Sequence, residues 1–247
     1  MKIYFSGFVV VMITFLSSCS PVLYSNTGHV VPLFQQKGEV MLNASVGSTE
    51  DATGVGAHFA AALDSSWAII ASYYYLTGDE DNDSEWRGNG SQFDFGGGKF
   101  YTFGEKNRGV VELFAGVGFA TITNRLAGDR VDLSYVKPFI QPSIGVTGPW
   151  VDFAFTPRIA VVSYTKNTIS LSDGENQLKA ERYFREKKST LVFEPGMIFR
   201  AGYKNIKGQI LINLSTFRAN GEEDLDPNIN DQYVSVGINY LFPNRYR

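Results

Sequence analysis

The chain has 247 residues, of which 44% are apolar, 14% aromatic and only 19% charged, with 25 glycines. That mix excludes a disordered chain and a water-soluble helical bundle, and it suits many strands joined by tight turns. The net charge is −3, or −4 once residues 1–18 are removed with their single charge, Lys2, and this is too mild to argue for nucleic acid. A single cysteine excludes an internal disulfide and a cysteine-built metal knot.

Lys2 opens the chain, and the apolar stretch Phe8–Leu16 (FVVVMITFL) follows it. Nine apolar residues are too few to cross a bilayer as a helix but suit the core of an export signal. The next residues, Leu16-Ser17-Ser18-Cys19, resemble the lipobox of bacterial lipoproteins. That resemblance implies removal of residues 1–18 as a signal peptide and acylation of Cys19, which becomes the new first residue. The chemistry needs a thiol to carry the thioether lipid and small residues before it to fit the peptidase. The alternative is an ordinary secretory signal with a chance cysteine, and either one exports the chain.

Residues 19–38 carry no acidic run after the cysteine, so a periplasm-facing amino terminus is expected. Within them Tyr24–Gly38 (YSNTGHVVPLFQQKG) has no clean period. This stretch reads as an extended periplasmic linker, a plug or a partner-binding strap. The words VPLFQQKGE (31–39) resemble the segment leading into the first strand of small outer-membrane barrel lipoproteins.

From Glu39 to the end, alternation with period two recurs and sustained helical periodicity is confined to one loop. Strands are expected at 39–47, 54–63, 66–76, 91–103, 109–123, 134–147, 150–164, 189–203, 206–217 and 231–242. The last strand alternates most cleanly, with Val234, Val236, Ile238, Tyr240 and Phe242 on one face. The seventh sets Val151, Phe153, Phe155, Ile159 and Val161 against Asp152, Ala154, Thr156, Arg158 and Ala160. Connections after even strands are short (Asp64-Ser65, Gly104–Arg108, Gly148-Pro149, Lys204-Asn205). Most of those after odd strands are longer and polar: Thr77–Gly90, Asn124–Leu133, Thr165–Lys188 and Arg218–Asn230. The pattern resembles that of an all-β, antiparallel up-and-down transmembrane β-barrel of about ten strands, spanning 39–247, with long outer loops and short periplasmic turns. A soluble β-sandwich is the alternative, since it too has one apolar face per strand.

Two features fit that barrel less well. Lys99 falls on the same face as Phe93 and Phe95, which asks for a glycine bulge at Gly96–Gly98 or a snorkelling side chain. Tyr240 and Phe242 resemble the terminal strand signal of outer-membrane barrels, yet Pro243 to Arg247 follow them.

Chemistry is sparse. His29 lies outside the expected barrel, and His58 shares a face with Gly54, Gly56, Ala60 and Ala62, so no catalytic residue is assigned. Two histidines without a useful cysteine give no zinc site. The acidic run Asp79–Glu85 resembles a calcium loop but lacks glycine at its sixth position and has Gly90 at its twelfth, so no metal is expected. Ser172-Asp173-Gly174-Glu175 is a capping-box pattern for a short loop helix through Lys188. Its basic residues, Lys179, Arg182, Arg185, Lys187 and Lys188, are placed to meet lipopolysaccharide phosphates or simply to be solvated, and the alternative to the helix is that strands seven and eight extend past the membrane.

The face opposite the apolar one carries Glu112, Lys137, Asp152, Arg158, Glu194, Arg200 and Lys207. Charges of both signs on adjoining strands predict a lumenal network in a largely filled barrel. These features imply a non-enzymatic, acylated outer-membrane barrel with no cofactor beyond its lipid, acting as a structural, adhesive or accessory subunit. Its partners would be outer-membrane lipid, lipopolysaccharide and a larger membrane complex. A narrow solute channel is the second reading and a membrane-embedded hydrolase or acyltransferase the third.

Overall fold

A computed structural model describes residues 23–50, 52–78, 87–126, 128–174, 177, 178, 181, 184, 189–217 and 229–243. The acidic run at 79–85, Cys19 and the basic residues of 179–188 lie outside them. Ten antiparallel strands form the wall. They are β1 (Val40–Ser48), β2 (Thr53–Ala62), β3 (Trp67–Gly78), β4 (Arg87–Phe103), β5 (Gly109–Leu126) and β6 (Asp129–Thr147). Next come β7 (Val151–Phe155 and Arg158–Ser170), β8 (Ser189–Glu194 and Gly196–Tyr203), β9 (Ile206–Leu214 and Thr216–Phe217) and β10 (Gln232–Phe242). Each strand pairs with the next, and β10 returns to β1 through Phe242↔Val40 to Val234↔Ser48, which closes the sheet. Closure leaves no unpaired edge.

Alternation sets the two faces. Val234, Val236, Ile238, Tyr240 and Phe242 all point outward, as do Val151, Phe153, Phe155, Ile159 and Val161 on β7. A bare apolar belt of this kind is costly in water and favourable in lipid. Aromatic rings gather at the short-turn end, where Trp67, Tyr101, Phe103, Trp150, Tyr203 and Tyr240 face out, with the Trp150 and Tyr203 rings 4.7 Å apart. Amphipathic rings concentrate at membrane–water interfaces.

The short turns have local causes. Asp64 accepts the N–H groups of Ser66 and Trp67 at 2.7 Å each, an Asx-type turn that also holds its carboxyl below the usual carboxylate range. Lys99 points outward with Phe93 and Phe95 and no bulge intervenes. Its ammonium lies 4.9 Å from the Trp67 ring centre near the short-turn rim, so snorkelling resolves the conflict.

Strand length departs from expectation at the opposite end. The segment expected as a loop at 124–133 is strand: β5 and β6 stay paired to Leu126↔Asp129. Val131 and Leu133 point inward into a cluster with Tyr24 and Val162, and this burial extends the hairpin past the apolar belt. Likewise β7 runs to Ser170, paired through Arg130↔Ser170. Gly174, Gln177, Leu178, Glu181 and Phe184 are helical, and the Gln177 N–H donates to the Asp173 carbonyl at 3.0 Å.

The wall is interrupted at one level. Flanking pairs Ile144↔Phe155 and Ile140↔Ile159 bring Pro142 opposite Pro157, and Glu194↔Arg158 with Met197↔Phe155 brings Pro195 beside them. Proline has no N–H to give a ladder, so β7 and β8 each break here. Thr156 and Gly196 exchange two backbone hydrogen bonds, at 2.8 and 3.1 Å, that carry the sheet across the gap.

Candidate functional site: a filled lumen

The segment read as a linker, a plug or a strap lies inside the wall, in the place of a plug. Gly38 and Glu39 turn the chain at the short-turn end, and residues 36 to 23 then run through the lumen toward the long loops. Tyr24, Asn26, Thr27, His29, Val30, Val31, Leu33 and Phe34 are each no more than 2% exposed. At the long-loop end Tyr24–Ser25 pairs in parallel with Ile229–Asn230. This strap has no strand period because its backbone partners are mostly side chains of the wall.

Those partners can be followed from end to end. Near the short turns, Glu39 accepts the Gln35 N–H at 2.8 Å, and Glu112 accepts the Phe34 N–H at 3.2 Å. Gln35 also donates its side-chain amide to the Asn107 carbonyl at 2.5 Å. Higher up, Arg200 donates to the Val31 carbonyl at 2.5 Å and Gln141 to the Val30 carbonyl at 2.8 Å. Asn213 and Gln92 hold Thr27 through its carbonyl and its hydroxyl, at 2.8 and 3.0 Å. At the rim the Tyr164 hydroxyl donates to the Leu23 carbonyl at 3.1 Å. Buried amides demand such partners, and here side chains on seven of the ten strands or their turns supply them.

The seven charged residues expected on the inner face are all buried there. The structure divides them into groups. Glu194 is the centre of one: it accepts the Tyr24 hydroxyl, lies 3.4 Å from the Lys137 ammonium and 3.9 Å from the Arg158 guanidinium, and faces His29 Nε2 at 3.6 Å. Arg158 also pairs with Asp94 at 3.0 Å, stacks 4.3 Å from the Phe139 ring centre and donates twice to Gln141. A second group lies nearer the short turns, where Asp152 meets Lys207 at 2.6 Å and Arg200 at 4.0 Å. Glu112 accepts the Phe34 N–H of the strap. With Asp94 and Glu39 added, five acids and four bases are buried among the described residues, and the ion pairs of Glu194, Asp94 and Asp152 offset charge in a low-dielectric interior.

Asp94 and His29 were not among the expected network residues. Asp94 alternates with Phe93 and Phe95, so the same face rule would have found it. His29 carried no such signal, since its place depends on where the strap lies. His58 is buried in the wall, opposite Ser72 on β3, and shares the Tyr74 hydroxyl proton at 2.6 Å. No cluster of three metal-binding side chains occurs among the described residues.

Wall and strap together define a closed, ten-stranded antiparallel β-barrel with an apolar outer face and an occupied lumen. No protein-family model and no curated protein matches the chain. Among solved structures it is similar to the NanC porin in a rhombohedral crystal form, at 10% identity over 81% of this chain and 98% of that one, with a TM-score of 0.35. It is also similar to CdiB from Acinetobacter baumannii, at 6% identity over 84% of this chain and 60% of that one, with a TM-score of 0.24.

Proposed function

We propose that this protein is an outer-membrane β-barrel, acylated on Cys19, that serves as a non-enzymatic structural, adhesive or accessory subunit and not as a solute channel. One observation carries the reading: the lumen is occupied along its length by residues 23–36, whose backbone is bonded to the wall. A channel needs a continuous wet path, and this interior is filled by side chains and strap. The apolar belt and the aromatic ring at the short-turn end support placement in an outer membrane, with the short turns toward the periplasm. Partners on this reading are outer-membrane lipid, lipopolysaccharide at the long loops, and a larger membrane complex.

The test joins fractionation, gel mobility and conductance. The full chain should float with the outer membrane, shift mobility on heating, and leave a planar bilayer silent. Cys19→Ala should lose acyl labelling and keep the heat shift. Steady conductance that changes on neutralising Arg158 or Arg200 would make the protein a pore. A soluble periplasmic product without a heat shift would refute the membrane reading altogether. Recovery of a stable larger assembly in mild detergent is the positive expectation for an accessory subunit.

A further inference from the structure

The strap has a direction, and the direction has a consequence for the amino terminus. Its carboxyl end is fixed at the short-turn rim by Gln35, through Glu39 and Asn107. Its other end is fixed among long-loop residues. The Leu23 carbonyl takes the Tyr164 hydroxyl, and Leu23, like Ile169 and Leu171, packs against a buried cluster that includes Val131, Leu133 and Phe184. Tyr24–Ser25 adds a two-residue ladder with Ile229–Asn230, in the connection that precedes β10. The chain therefore enters the wall at one end of the barrel while its amino-terminal arm leaves at the other.

We infer that the chain preceding Leu23 emerges on the cell surface, on the side of the long loops. This rests on the outer-membrane reading above, which assigns the short turns to the periplasm. The physical limit is reach. Three residues, Ser20, Pro21 and Val22, separate Cys19 from Leu23, and a fully extended chain covers about 14 Å over those four steps. The apolar band of an outer-membrane barrel is about 25 Å tall. With the lumen filled, Cys19 cannot return to the short-turn side through the barrel. An acyl group on it is thus seated in the outer leaflet beside the long loops, where barrel and lipid no longer duplicate one anchoring task. The ordinary expectation of a periplasm-facing terminus is reversed for this chain.

Surface labelling of the full chain in intact cells tests this. Val22→Lys introduces an amine ahead of Leu23, and a membrane-impermeant amine reagent followed by peptide mass mapping reads its exposure. An epitope inserted between Pro21 and Val22 provides a second readout, with the same epitope in the 171–188 loop and in the 104–108 turn as outer and inner references. The expected result is labelling at position 22 in intact cells to the level of the loop reference. Labelling that needs permeabilised cells, with the heat-dependent gel shift retained, would overturn the inference and leave the barrel standing. Loss of the gel shift in the unmodified chain would overturn the membrane reading from which it starts.

Discussion

The two sides of the lumen hold the strap by different means. From β6 to β9 the inner face is charged and amide-rich, and it binds the strap through hydrogen bonds from Gln141, Arg200 and Asn213. From β10 through β3 the described inner face carries no charged side chain; small residues (Gly47, Gly56, Ala60, Ala62, Ala68 and Ser72) stand among Asn43, His58 and Asn239, and two tyrosines fill the space that the small residues leave. Tyr74 and Tyr233 meet edge to face, with centres 6.0 Å apart, and press on Gly28 of the strap. A Cβ at Gly28 would lie 2.5 Å from the Tyr74 hydroxyl oxygen. One side therefore specifies position by polar geometry and the other by shape. The charged side is also the side crossed by Pro142, Pro157 and Pro195, where the ladder breaks and the Thr156–Gly196 backbone bonds bridge the gap.

The largest effect should follow removal of the strap. Deleting residues 24–35 takes away the partners of both sides at once and leaves the ions of β4 to β9 facing an open lumen. A bilayer silent with the full chain should then show conductance, which planar-bilayer recording reads directly. Persistent silence, with the heat-dependent gel shift intact, would mean that wall side chains close the barrel without the strap.

Next in size is the charged side alone. Glu194→Ala leaves Lys137 and Arg158 buried beside an absent counter-charge, and breaking a buried pair in this way costs roughly 3–5 kcal/mol. The readout is the urea midpoint of the gel-shifted form in lipid vesicles. The shape-specified side should respond to volume instead. Gly28→Leu has to displace Tyr74 and Tyr233, an overpacking that costs about 1–3 kcal/mol by the same measurement. If Gly28→Leu proved more damaging than Glu194→Ala, shape and not charge would dominate the fit of the strap.

Much of the wall could be read in the residues themselves. Alternation located ten strands and the inward direction of Arg158, Glu194 and Arg200, because a strand with lipid on one side and a polar interior on the other writes its faces into every second residue. Polar tips misled at 124–133, where Asn124, Arg125 and Asp129 hid a hairpin held by inward Val131 and Leu133. A plug was one reading of the strap segment, but its path through the lumen was illegible for a different reason. Its backbone is satisfied by wall side chains more than a hundred residues away, such as Gln141 and Arg200, and no local period records such contacts. His29 shared that fate: its burial beside Glu194 depends wholly on the tertiary path of the segment carrying it.

The smallest effect isolates one hydrogen bond on the uncharged side. Tyr74→Phe keeps the ring that packs on Tyr233 and removes only the hydroxyl that meets His58 at 2.6 Å. A single neutral hydrogen bond contributes about 1 kcal/mol net, and the ring supplies most of the contact with the strap. The urea midpoint should therefore fall by a fraction of the Glu194→Ala shift, with the bilayer still silent. A loss as large as that of Glu194→Ala would mean that the Tyr74–His58 pair positions the strap through polar geometry as well. The division of the lumen into a charged side and a shape-fitting side would then fail at the residue that best defines it.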